Sequence, residues 1–417
     1  MRIKTTIKYL LLHIIYFFVG FVPRDRKIWI FGSRGESFSG NSKWLFLYLQ
    51  DSHSSNKMNI RKIWISKSRK IVRILKTEGF EAYYLNSLKG HYYAVRGGIY
   101  FFNVHTNYDI SYFLSNGAKK INLWHGITIA KKIGLDSDLT NNYFYKLYHG
   151  NILQQLRNRF FSPWEYEKYD VMAWTSEMTK KYIKSAFGKK AKDVIITGFP
   201  RNDVLLKNIN SPFEEDQKLI EYFGTIKSKR QKIILYMPTY RDTKIYKSES
   251  INIPINWERL NSFLAKNNSI FFLKLHPVEK VPLQISASYK NIQALNSLAD
   301  VYPVLKYVDT LITDYSSVCY DFLLCSKPIV FYLYDLEEYK TEHRSLYDDF
   351  ENLLPGPTVK TFDALLNTLG NCINNEDNFM KEYSKKINNC RSLTHKYVDS
   401  NSSERVYENI INKFVKN

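Results

Sequence analysis

Two histidines stand where this sequence is best equipped for acid–base chemistry. His125 follows the apolar run Ile121–Trp124, and His276 follows the run Ile270–Leu275. Runs of this kind predict buried parallel strands, and the ligand crevices of open α/β sheets lie outside the carboxyl ends of the strands. Imidazole titrates near neutral pH and suits the general base that an alcohol nucleophile benefits from. We therefore predict that both histidines are catalytic, although a single histidine at a strand end is more often structural. Three other histidines are interpreted as structural: His105, His149 and His343.

A pair of serines is the next candidate for chemistry. The segment Asp309–Tyr339 has the pattern of a strand–turn–helix–strand unit, the building block of a doubly wound sheet. Its turn carries Ser316 and Ser317 at the mouth of the helix predicted over Val318–Cys325. Two hydroxyls in that place can join free backbone N–H groups around a phosphate. The alternative is that Asp314 or Ser316 simply caps the helix, and the segment alone leaves both interpretations open.

Other polar side chains gather just after predicted strands, where they would surround bound phosphates. Arg241 and Lys274 carry the positive charge that neutralises a phosphoryl group during transfer. Asp203 has the alternative role of capping a turn, and Arg241 that of a surface ion-pair partner. Asp136 and Asp138 form too weak a pair to indicate a metal site. The strand-end binding candidates are Thr239, Arg241, Lys274, Arg201, Asp203, Asp314 and Asp335.

The charge balance narrows the class of partner. The 417 residues include 60 Lys and Arg against 40 Asp and Glu, which gives a net charge of +20. Such a surplus favours anionic partners such as nucleotides, phosphate polymers, nucleic acid or acidic lipid surfaces. Nucleic acid is disfavoured because His and Ser gather at strand ends rather than along a basic stripe with base-stacking aromatics. The cysteines lack metal-ligand spacing, and we expect free, buried thiols in a reducing compartment: Cys319, Cys325, Cys372 and Cys390.

The elements that must position these residues alternate between strand and helix patterns in two series. This alternation predicts an α/β protein with mostly parallel sheets. We interpret it as two Rossmann-like domains facing a cleft, the B-type glycosyltransferase architecture, after an N-terminal membrane-associating helix. The boundaries are 1–24 for that helix, 25–205 and 206–385 for the two domains, and 386–417 for a C-terminal helical segment; the polar stretch 206–231 connects the domains. The predicted strands are Ile28–Phe31, Ile63–Ile65, Ile99–Val104, Ile121–Trp124, Val171–Trp174, Val194–Ile196, Ile233–Tyr236, Ile270–Leu275, Thr310–Ile312 and Ile329–Leu333, and the last predicted helix is Asn401–Val415, with Asn401 as its cap.

The amino terminus carries an apolar segment, Tyr9–Val22, with Arg and Lys on both sides. It is shorter than the roughly 20 residues that span a bilayer, and no small-residue cleavage site follows it. We expect a helix that lies in the membrane interface; the alternative is a core helix packed on the first domain. The aromatic and basic segment Lys131–Lys168 has similar alternatives, because it either contacts a membrane or a lipid-linked acceptor or covers its domain as a helical pair.

Five short motifs follow one another at the ends of predicted strands: Leu123–Gly126, Gly198–Asp203, Tyr236–Arg241, Lys274–Pro277 and Thr313–Ser317. In this order they resemble the CDP-glycerol glycerophosphotransferase family, which contains the teichoic acid primases and polymerases and their capsule-building relatives. The resemblance spans about residues 28 to 357, most of the chain.

Further segments share the resemblance, and one position departs from it. Phe31–Ser33 and Gly40–Lys43 are similar to the opening of that family, and Tyr334–Asp335 followed by Arg344 is similar to a later part. Ser345 stands where an Arg-Gly pair is common. The resemblance thereby adds Arg344 to the candidate binding residues.

The resemblance implies a peripheral enzyme on the cytoplasmic face of the bacterial cell membrane. Such an enzyme transfers glycerol phosphate, or another polyol phosphate, from a CDP-linked donor to a hydroxyl of a teichoic acid-like or capsular acceptor and releases CMP. The implied partners are CDP-glycerol or CDP-ribitol, a lipid-linked or polymeric acceptor and an anionic membrane surface, without nucleic acid. Residues 25–205 would bind the acceptor and 206–385 the CDP-donor. No cofactor is firmly predicted, and Mg²⁺ arriving with the donor is left open.

Two other functions stay open at this point. A nucleotide-sugar glycosyltransferase of cell-surface polysaccharide synthesis would use the same architecture, since a fold does not fix its chemistry. A non-enzymatic binder of anionic polymers would use the same positive charge.

Overall fold

The chain forms two compact units, each built around its own parallel sheet. The first unit consists of residues 1–125, 146–213 and 396–417, and the second of residues 126–145 and 214–395. The predicted α/β class with parallel sheets is confirmed. The computed structural model describes residues 2–34, 37–51, 58–140, 142–209, 211–241, 253–276, 279, 285 and 289–416.

The first sheet has its strands in the order β3-β2-β1-β4-β5-β6-β7, and neighbouring strands are parallel. Parallel sheets are covered by helices on both faces, so their strands are apolar throughout rather than alternating; all six residues of the fourth strand are buried. The strands are β1 (Asp25–Phe31), β2 (Arg61–Ser66), β3 (Ala82–Tyr84), β4 (Gly97–Phe102), β5 (Lys119–Asn122), β6 (Val171–Trp174) and β7 (Val194–Ile196).

The second sheet has the order β10-β9-β8-β11-β12-β13, again with parallel neighbours. Counted within the unit this order is 3-2-1-4-5-6, the doubly wound order in which ligands bind where the winding reverses. The reversal lies between β8 and β11, so the segments after these two strands are neighbours. The strands are β8 (Lys232–Met237), β9 (Ser269–Leu273), β10 (Ile292–Ala294), β11 (Thr310–Thr313), β12 (Ile329–Tyr332) and β13 (Thr358–Val359).

Helices connect the strands in both units. Short 3₁₀ turns add to them at Gly134–Asp136, Pro163–Tyr166, Gly188–Lys190, Pro200–Asn202, Leu323–Cys325 and Glu351–Leu353, and a π-helical turn at Tyr339–His343. The α-helices are α1 (Arg2–Val19), α2 (Gly40–Asp51), α3 (Arg69–Thr77), α4 (Leu88–Arg96), α5 (Thr106–Asp109), α6 (Tyr143–His149), α7 (Ile152–Phe161), α8 (Glu177–Phe187), α9 (Asp203–Leu206), α10 (Glu214–Ser228), α11 (Trp257–Lys266), α12 (Tyr302–Leu305), α13 (Val318–Phe322), α14 (Leu336–Glu338), α15 (Phe362–Asn374), α16 (Glu376–Thr394) and α17 (Ser402–Phe414).

The C-terminal helix α17 belongs to the first unit, whereas the sequence suggested a separate segment over 386–417. Its first two N–H groups, those of Ser402 and Ser403, donate to the Asp203 carboxylate at 2.9 Å each. Asn401, the cap expected from the sequence, makes no side-chain capping bond. A helix start needs acceptors for its unpaired N–H groups, and here a carboxylate from elsewhere in the unit supplies them.

The segment 126–145 groups with the second unit, although the sequence suggested one continuous domain over 25–205. Lys131 forms an antiparallel bridge with Leu346, and the Tyr347 N–H donates to the Ala130 carbonyl at 3.0 Å. Residues 126–145 are therefore attached to the second unit by hydrogen bonds to residues 346 and 347. These partners are distant in the chain, so the sequence did not reveal the assignment.

Helix α1 packs on the first unit with one face and exposes the other. Tyr9, Leu12 and Tyr16 pack against an aromatic cluster in the same unit, in which the Tyr112 ring stacks on that of Tyr16 at 4.6 Å. Among the described helices, none combines the length and apolar character that crossing a bilayer takes. The exposed apolar side chains of α1 are Ile3, Ile7, Leu10, Leu11, Ile14, Ile15, Phe17 and Phe18.

Candidate active site

His125 lies in a turn with an unusual backbone conformation after β5. Trp124 has φ = 53°, in the left-handed region that a bulky residue seldom adopts. Its N–H donates to Asn122 Oδ1 at 2.7 Å, and its carbonyl accepts from Asn41 Nδ2 at 2.8 Å. A second bond from Asn41 Nδ2, at 2.9 Å, reaches the Leu123 carbonyl. The turn is therefore fixed by two neutral amide side chains.

The His125 imidazole lies against the backbone carbonyl of Asn103. Nδ1 lies 3.3 Å from the Asn103 carbonyl oxygen. A carbonyl only accepts, so Nδ1 carries the proton in this bond and Nε2 is the nitrogen that takes up another. The His125 side chain is exposed, although Trp124 before it and Gly126 after it are buried. An exposed imidazole whose Nδ1 binds a backbone carbonyl is suited to act as a general base.

A buried carboxylate, which the sequence did not single out, supports the carbonyl that orients His125. Asp109 Oδ2 accepts from the N–H groups of Asn103 and Val104 at 2.6 and 2.7 Å, and its Oδ1 accepts from Arg34 N–H at 2.7 Å. Burial raises the pKa of Asp109, while these three bonds lower it. The Asn103 side chain in turn accepts from the N–H and hydroxyl of Ser42 at 3.0 and 3.1 Å.

Two residues predicted to bind substrate hold parts of the first unit together. Arg201 is buried; its Nη1 donates to the His125 carbonyl at 2.7 Å, and its N–H donates to Asn41 Oδ1 at 3.1 Å. Asp203 accepts from the start of α17 with both oxygens, including a bond of 2.7 Å from the Ser403 hydroxyl. The structure therefore brings Arg201 to His125 and turns Asp203 towards α17.

In the second unit, Arg241 forms a buried ion cluster with Asp314 and Asp335 at the reversal of the winding. Its Nη1 lies 2.9 Å from Asp314 Oδ2, and its Nε lies 2.8 Å from Asp335 Oδ2. Although burial opposes the charged form, the two carboxylates hold the pKa of the Arg241 guanidinium above its usual range. The surface ion pair that the sequence left open for Arg241 is thus a buried one, and its charge is already compensated.

Asp314 also joins the ends of β8 and β11. Its Oδ1 accepts from the Thr239 N–H at 2.8 Å and from the Tyr315 N–H. The hydroxyls of Thr239 and Tyr236 are buried, and neither has a hydrogen-bond partner among the described residues. Buried hydroxyls normally find partners, so these two are suited to bind a ligand. Tyr236 lies inside a motif that the sequence singled out, but its hydroxyl was not assigned a role.

The turn after β11 was interpreted either as a helix cap or as a phosphate-binding site, and Ser316 and Ser317 differ in which of these roles they fit. Ser316 Oγ accepts from the Val318 N–H at 3.5 Å, which is the capping role. Ser317 has no side-chain capping bond. A Cβ on Gly126 would lie 2.2 Å from Ser317 Oγ, so a larger residue at position 126 would displace this hydroxyl. Ser317 is therefore the better candidate of the two for contacting a phosphate.

Lys274 and His276 follow β9 in the second unit. Lys274 Nζ donates to the carbonyls of Asn296 and Ser297 at 3.4 and 2.8 Å, and burial lowers its pKa to about 8. The His276 ring stacks on Tyr240 at 4.9 Å. Pro277, which completes the motif, lies outside the described residues.

Glu279 faces the backbone of His276 and was not predicted from the sequence. Its Oε2 lies 3.4 Å from the His276 N–H, and its own N–H donates to the His276 carbonyl at 2.8 Å. Burial raises the pKa of Glu279 to about 7, against the lowering effects of the His276 N–H and the Arg241 charge.

The remaining candidates are Asp335 and Arg344. Asp335 binds the Tyr315 hydroxyl at 3.1 Å in addition to Arg241. The Arg344 guanidinium lies over the Phe144 ring, 5.1 Å from its centroid. Among the described residues, no group of three or more His, Cys, Asp or Glu is arranged to hold a metal ion. Four cysteines are free, and only Cys325 is partly exposed.

A family model covers nearly the whole chain, and known relatives support the match. The model described as CDP-Glycerol:Poly(glycerophosphate) glycerophosphotransferase matches residues 14–412. The chain is 29% identical to the teichoic acid glycerol-phosphate primase of Bacillus subtilis, over 95% of each protein. It is 30% identical to the teichoic acid poly(glycerol phosphate) polymerase of Bacillus spizizenii, over 85% of the chain and 86% of the polymerase.

Two further comparisons concern length and fold. The teichoic acid ribitol-phosphate polymerase TarL of Staphylococcus aureus is 32% identical over 70% of the chain, but the match spans only 47% of that polymerase. The solved structure of the wall teichoic acid polymerase TagF superposes with a TM-score of 0.72 at 21% identity, over 99% of this chain and 98% of that one. At this identity the likeness establishes the fold.

Proposed function

The chain belongs to the CDP-glycerol:poly(glycerophosphate) glycerophosphotransferase family, and we propose that it transfers glycerol phosphate from CDP-glycerol to a hydroxyl of a teichoic acid-like acceptor, releasing CMP. The match over 95% of the B. subtilis primase supports this activity. The observation that carries the proposal is the exposed His125 imidazole after β5, whose Nδ1 lies 3.3 Å from the Asn103 carbonyl oxygen. A capsular acceptor stays a prediction from the sequence.

His125 is proposed as the general base. The acceptor hydroxyl loses its proton to Nε2 as its oxygen attacks the distal phosphorus of CDP-glycerol. A new P–O bond forms to the acceptor, and the bond between the distal phosphorus and the bridging oxygen breaks, so that the nucleotide leaves as CMP. Phosphoryl transfer of this kind depends on positioning and on stabilising charge more than on covalent chemistry.

The second unit is proposed to bind the donor. Arg241 is already compensated by Asp314 and Asp335, so the positive charge facing the diphosphate is assigned to His276 and Lys274. Burial lowers the pKa of Lys274 to about 8, so the ammonium is still largely protonated at neutral pH. Other hydrogen bonds to the donor are assigned to hydroxyls: Ser317, Thr239 and Tyr236. The cleft between two facing domains, on which the transfer depends, stays a prediction.

The test follows the phosphorus. Purified protein is supplied with CDP-glycerol labelled in its distal phosphate and with a glycerol phosphate-primed acceptor, and nucleotides are separated from polymer. We expect label in the polymer and one CMP for each unit added. Release of CDP, or turnover only with a UDP- or GDP-sugar, would assign the chain to the glycosyltransferases. A parallel reaction with CDP-ribitol decides which polyol the donor carries.

We also propose that the protein binds the cytoplasmic face of the cell membrane as a peripheral protein. Helices α1 and α7 support this location. They are neighbours, because His13 Nε2 on α1 binds the Phe160 carbonyl on α7 at 2.9 Å. Both helices also carry exposed apolar side chains. On α7 these are Ile152, Leu153 and Leu156. Exposed apolar surface beside Lys and Arg favours an acidic membrane interface.

Vesicle sedimentation tests this location. Leu10→Glu on the exposed face of α1 and Leu153→Glu on α7 should each reduce binding to vesicles containing phosphatidylglycerol, and high salt should weaken binding of the unaltered protein. Exposed Leu88, on α4 in the same unit, provides the matched control as Leu88→Glu. Unchanged binding by both α1 and α7 variants would overturn the proposal.

A further inference from the structure

The turn that carries His125 is held by two side chains from distant parts of the first unit. Asn41, at the start of α2, is buried and uses both hydrogens of its Nδ2 group, one to the Leu123 carbonyl and one to the Trp124 carbonyl. Its Oδ1 accepts from the Arg201 N–H at 3.1 Å. One amide thus ties the His125 turn to the Pro200–Asn202 turn.

Arg201 completes the connection from the other side. Its Nη1 donates to the His125 carbonyl at 2.7 Å, and the side chain is only 4% exposed. The guanidinium also lies over the Phe199 ring at 5.3 Å. The guanidinium therefore binds the backbone of the His125 turn directly.

The backbone of Trp124 explains why such support is needed. A non-glycine residue in the left-handed region costs about 1–2 kcal/mol, and such a conformation persists only when its surroundings over-determine it. Here the carbonyls of Leu123, Trp124 and His125 are each fixed by a donor from Asn41 or Arg201. Without these donors the peptide before His125 is released to rotate towards the ordinary region, and the imidazole moves with it.

We propose that Asn41 and Arg201 are positioning residues, which act by holding the His125 imidazole in its reactive place. This inference rests on the proposed function, because it assumes that His125 is the base. It differs from the substrate-binding role that the sequence suggested for Arg201. A substrate ligand affects KM, whereas a positioning residue affects kcat and does so only while His125 is present.

The experiment is a double-mutant cycle between these residues and His125. Asn41→Ala and Arg201→Ala should each lower kcat by about 10- to 100-fold, as expected for a small misplacement of a catalytic group, with the KM for CDP-glycerol within about twofold. In the His125→Ala background the same substitutions should change kcat by less than about threefold, because the group that they position is gone.

Arg405 provides the matched control. It donates from Nε to the Thr197 carbonyl at 2.8 Å in the same unit and pairs with Asp399, without a contact to His125. Arg405→Ala should lower thermal stability and leave kcat unchanged. Arg201→Lys, which keeps one donor within reach, should recover part of the activity lost in Arg201→Ala.

The outcomes separate this inference from the function on which it rests. If His125→Ala alone keeps near-normal turnover, the proposed function fails. If His125→Ala lowers turnover as expected while Asn41→Ala and Arg201→Ala raise KM or act additively with it, the positioning role fails. Should Asn41→Ala not fold, Arg201→Lys and Arg201→Ala decide the question by the same cycle.

Discussion

The two units hold their candidate residues by different means. Around His125 the supporting groups bind the backbone of the turn: the amides of Asn41 and Asn122 and the guanidinium of Arg201. Around the strand ends of the second unit the supporting groups are charged, and Arg241 is bound by Asp314 and Asp335. A general base needs a fixed orientation, which hydrogen bonds to the backbone of its turn provide. A binding site for a diphosphate instead needs rigid strand ends, which a buried ion cluster provides.

Because the two regions are held differently, substitutions in them should affect different properties: stability in the second unit and turnover in the first. Removing one partner from a buried ion cluster leaves a charge uncompensated, and this is costly to folding. Removing an amide from the His125 turn costs about one hydrogen bond per contact but releases the base. We therefore expect the largest losses of stability in the second unit and the more selective losses of turnover in the first.

The largest expected effect is on the stability of the second unit. Arg241→Met removes the cation between Asp314 and Asp335 and should lower the free energy of unfolding by about 3–5 kcal/mol. The matched control is Arg259→Met, because Arg259 pairs with Asp363 at 2.6 Å with both side chains more than half exposed. That exposed pair should contribute less than about 1 kcal/mol. Chemical denaturation measures both, and equal losses would contradict the buried cluster.

The next effect is on turnover. His125→Ala and His276→Ala should each lower kcat by at least about 10²-fold, the effect of losing acid–base or charge-stabilising help. His125 is exposed, and His276 follows rather than occupies a strand, so both variants should fold. His91, an exposed histidine on α4, is the matched control and His91→Ala should keep full activity. Near-normal turnover by folded His125→Ala and His276→Ala would refute the site.

A smaller loss of stability is expected at Asp203, and it tests whether this residue anchors helix α17 or binds substrate. Asp203→Ala removes the acceptor of the first N–H groups of α17 and should lower stability by about 1–3 kcal/mol. The KM for CDP-glycerol should stay the same, since both carboxylate oxygens are bound to Ser402 and Ser403. An increase in KM without loss of stability would restore the substrate-binding role expected from the sequence.

The sequence predicted ten of the strands, including the three-residue edge strand β7 (Val194–Ile196), and missed three other short edge strands. The run Ile329–Leu333 became β12, whereas β13 (Thr358–Val359) has only two residues and pairs with Phe331 and Tyr332. Strands β3 and β10 are also short and lie at sheet edges. Strand β7 was recognisable because Val194, Ile195 and Ile196 form a continuous apolar run, whereas the other three short strands contain Thr, Ala, Gln or Tyr and lack such a run.

The sequence also predicted which residues gather at strand ends but not what they bind. Arg201 and Asp203 were placed correctly after β7, yet their partners, Asn41 and the start of α17, lie far away in the chain. Asp109 gave no signal, because its role depends on backbone N–H groups that any residue type supplies. Position follows from local pattern, whereas partners follow from tertiary packing.

The last and smallest expected effect is a pH dependence of stability that arises from Glu279 in the second unit. Burial raises the pKa of Glu279 to about 7 from an ordinary value of 4.5. Below pH 4.5 the carboxyl is protonated in both the folded and the unfolded state. Between pH 4.5 and 7 only the folded state keeps the proton, so stability falls as pH rises; above about pH 7 the loss is complete. Replacing the carboxyl by the neutral amide in Glu279→Gln should remove this dependence.

This pH dependence is tested by measuring the free energy of unfolding from pH 4 to 8 for the unaltered protein and for Glu279→Gln. The unaltered protein should lose stability relative to Glu279→Gln between pH 4.5 and 7, with a constant difference above that range. Glu258→Gln, at an exposed position on α11 of the same unit, supplies the control and should run parallel to the unaltered protein. If the curve of Glu279→Gln also runs parallel to that of the unaltered protein, the Glu279 carboxyl is solvated and its pKa is not raised. The contrast between a second unit held by ion pairs and a His125 turn held by hydrogen bonds to its backbone would then rest on the Arg241 cluster alone.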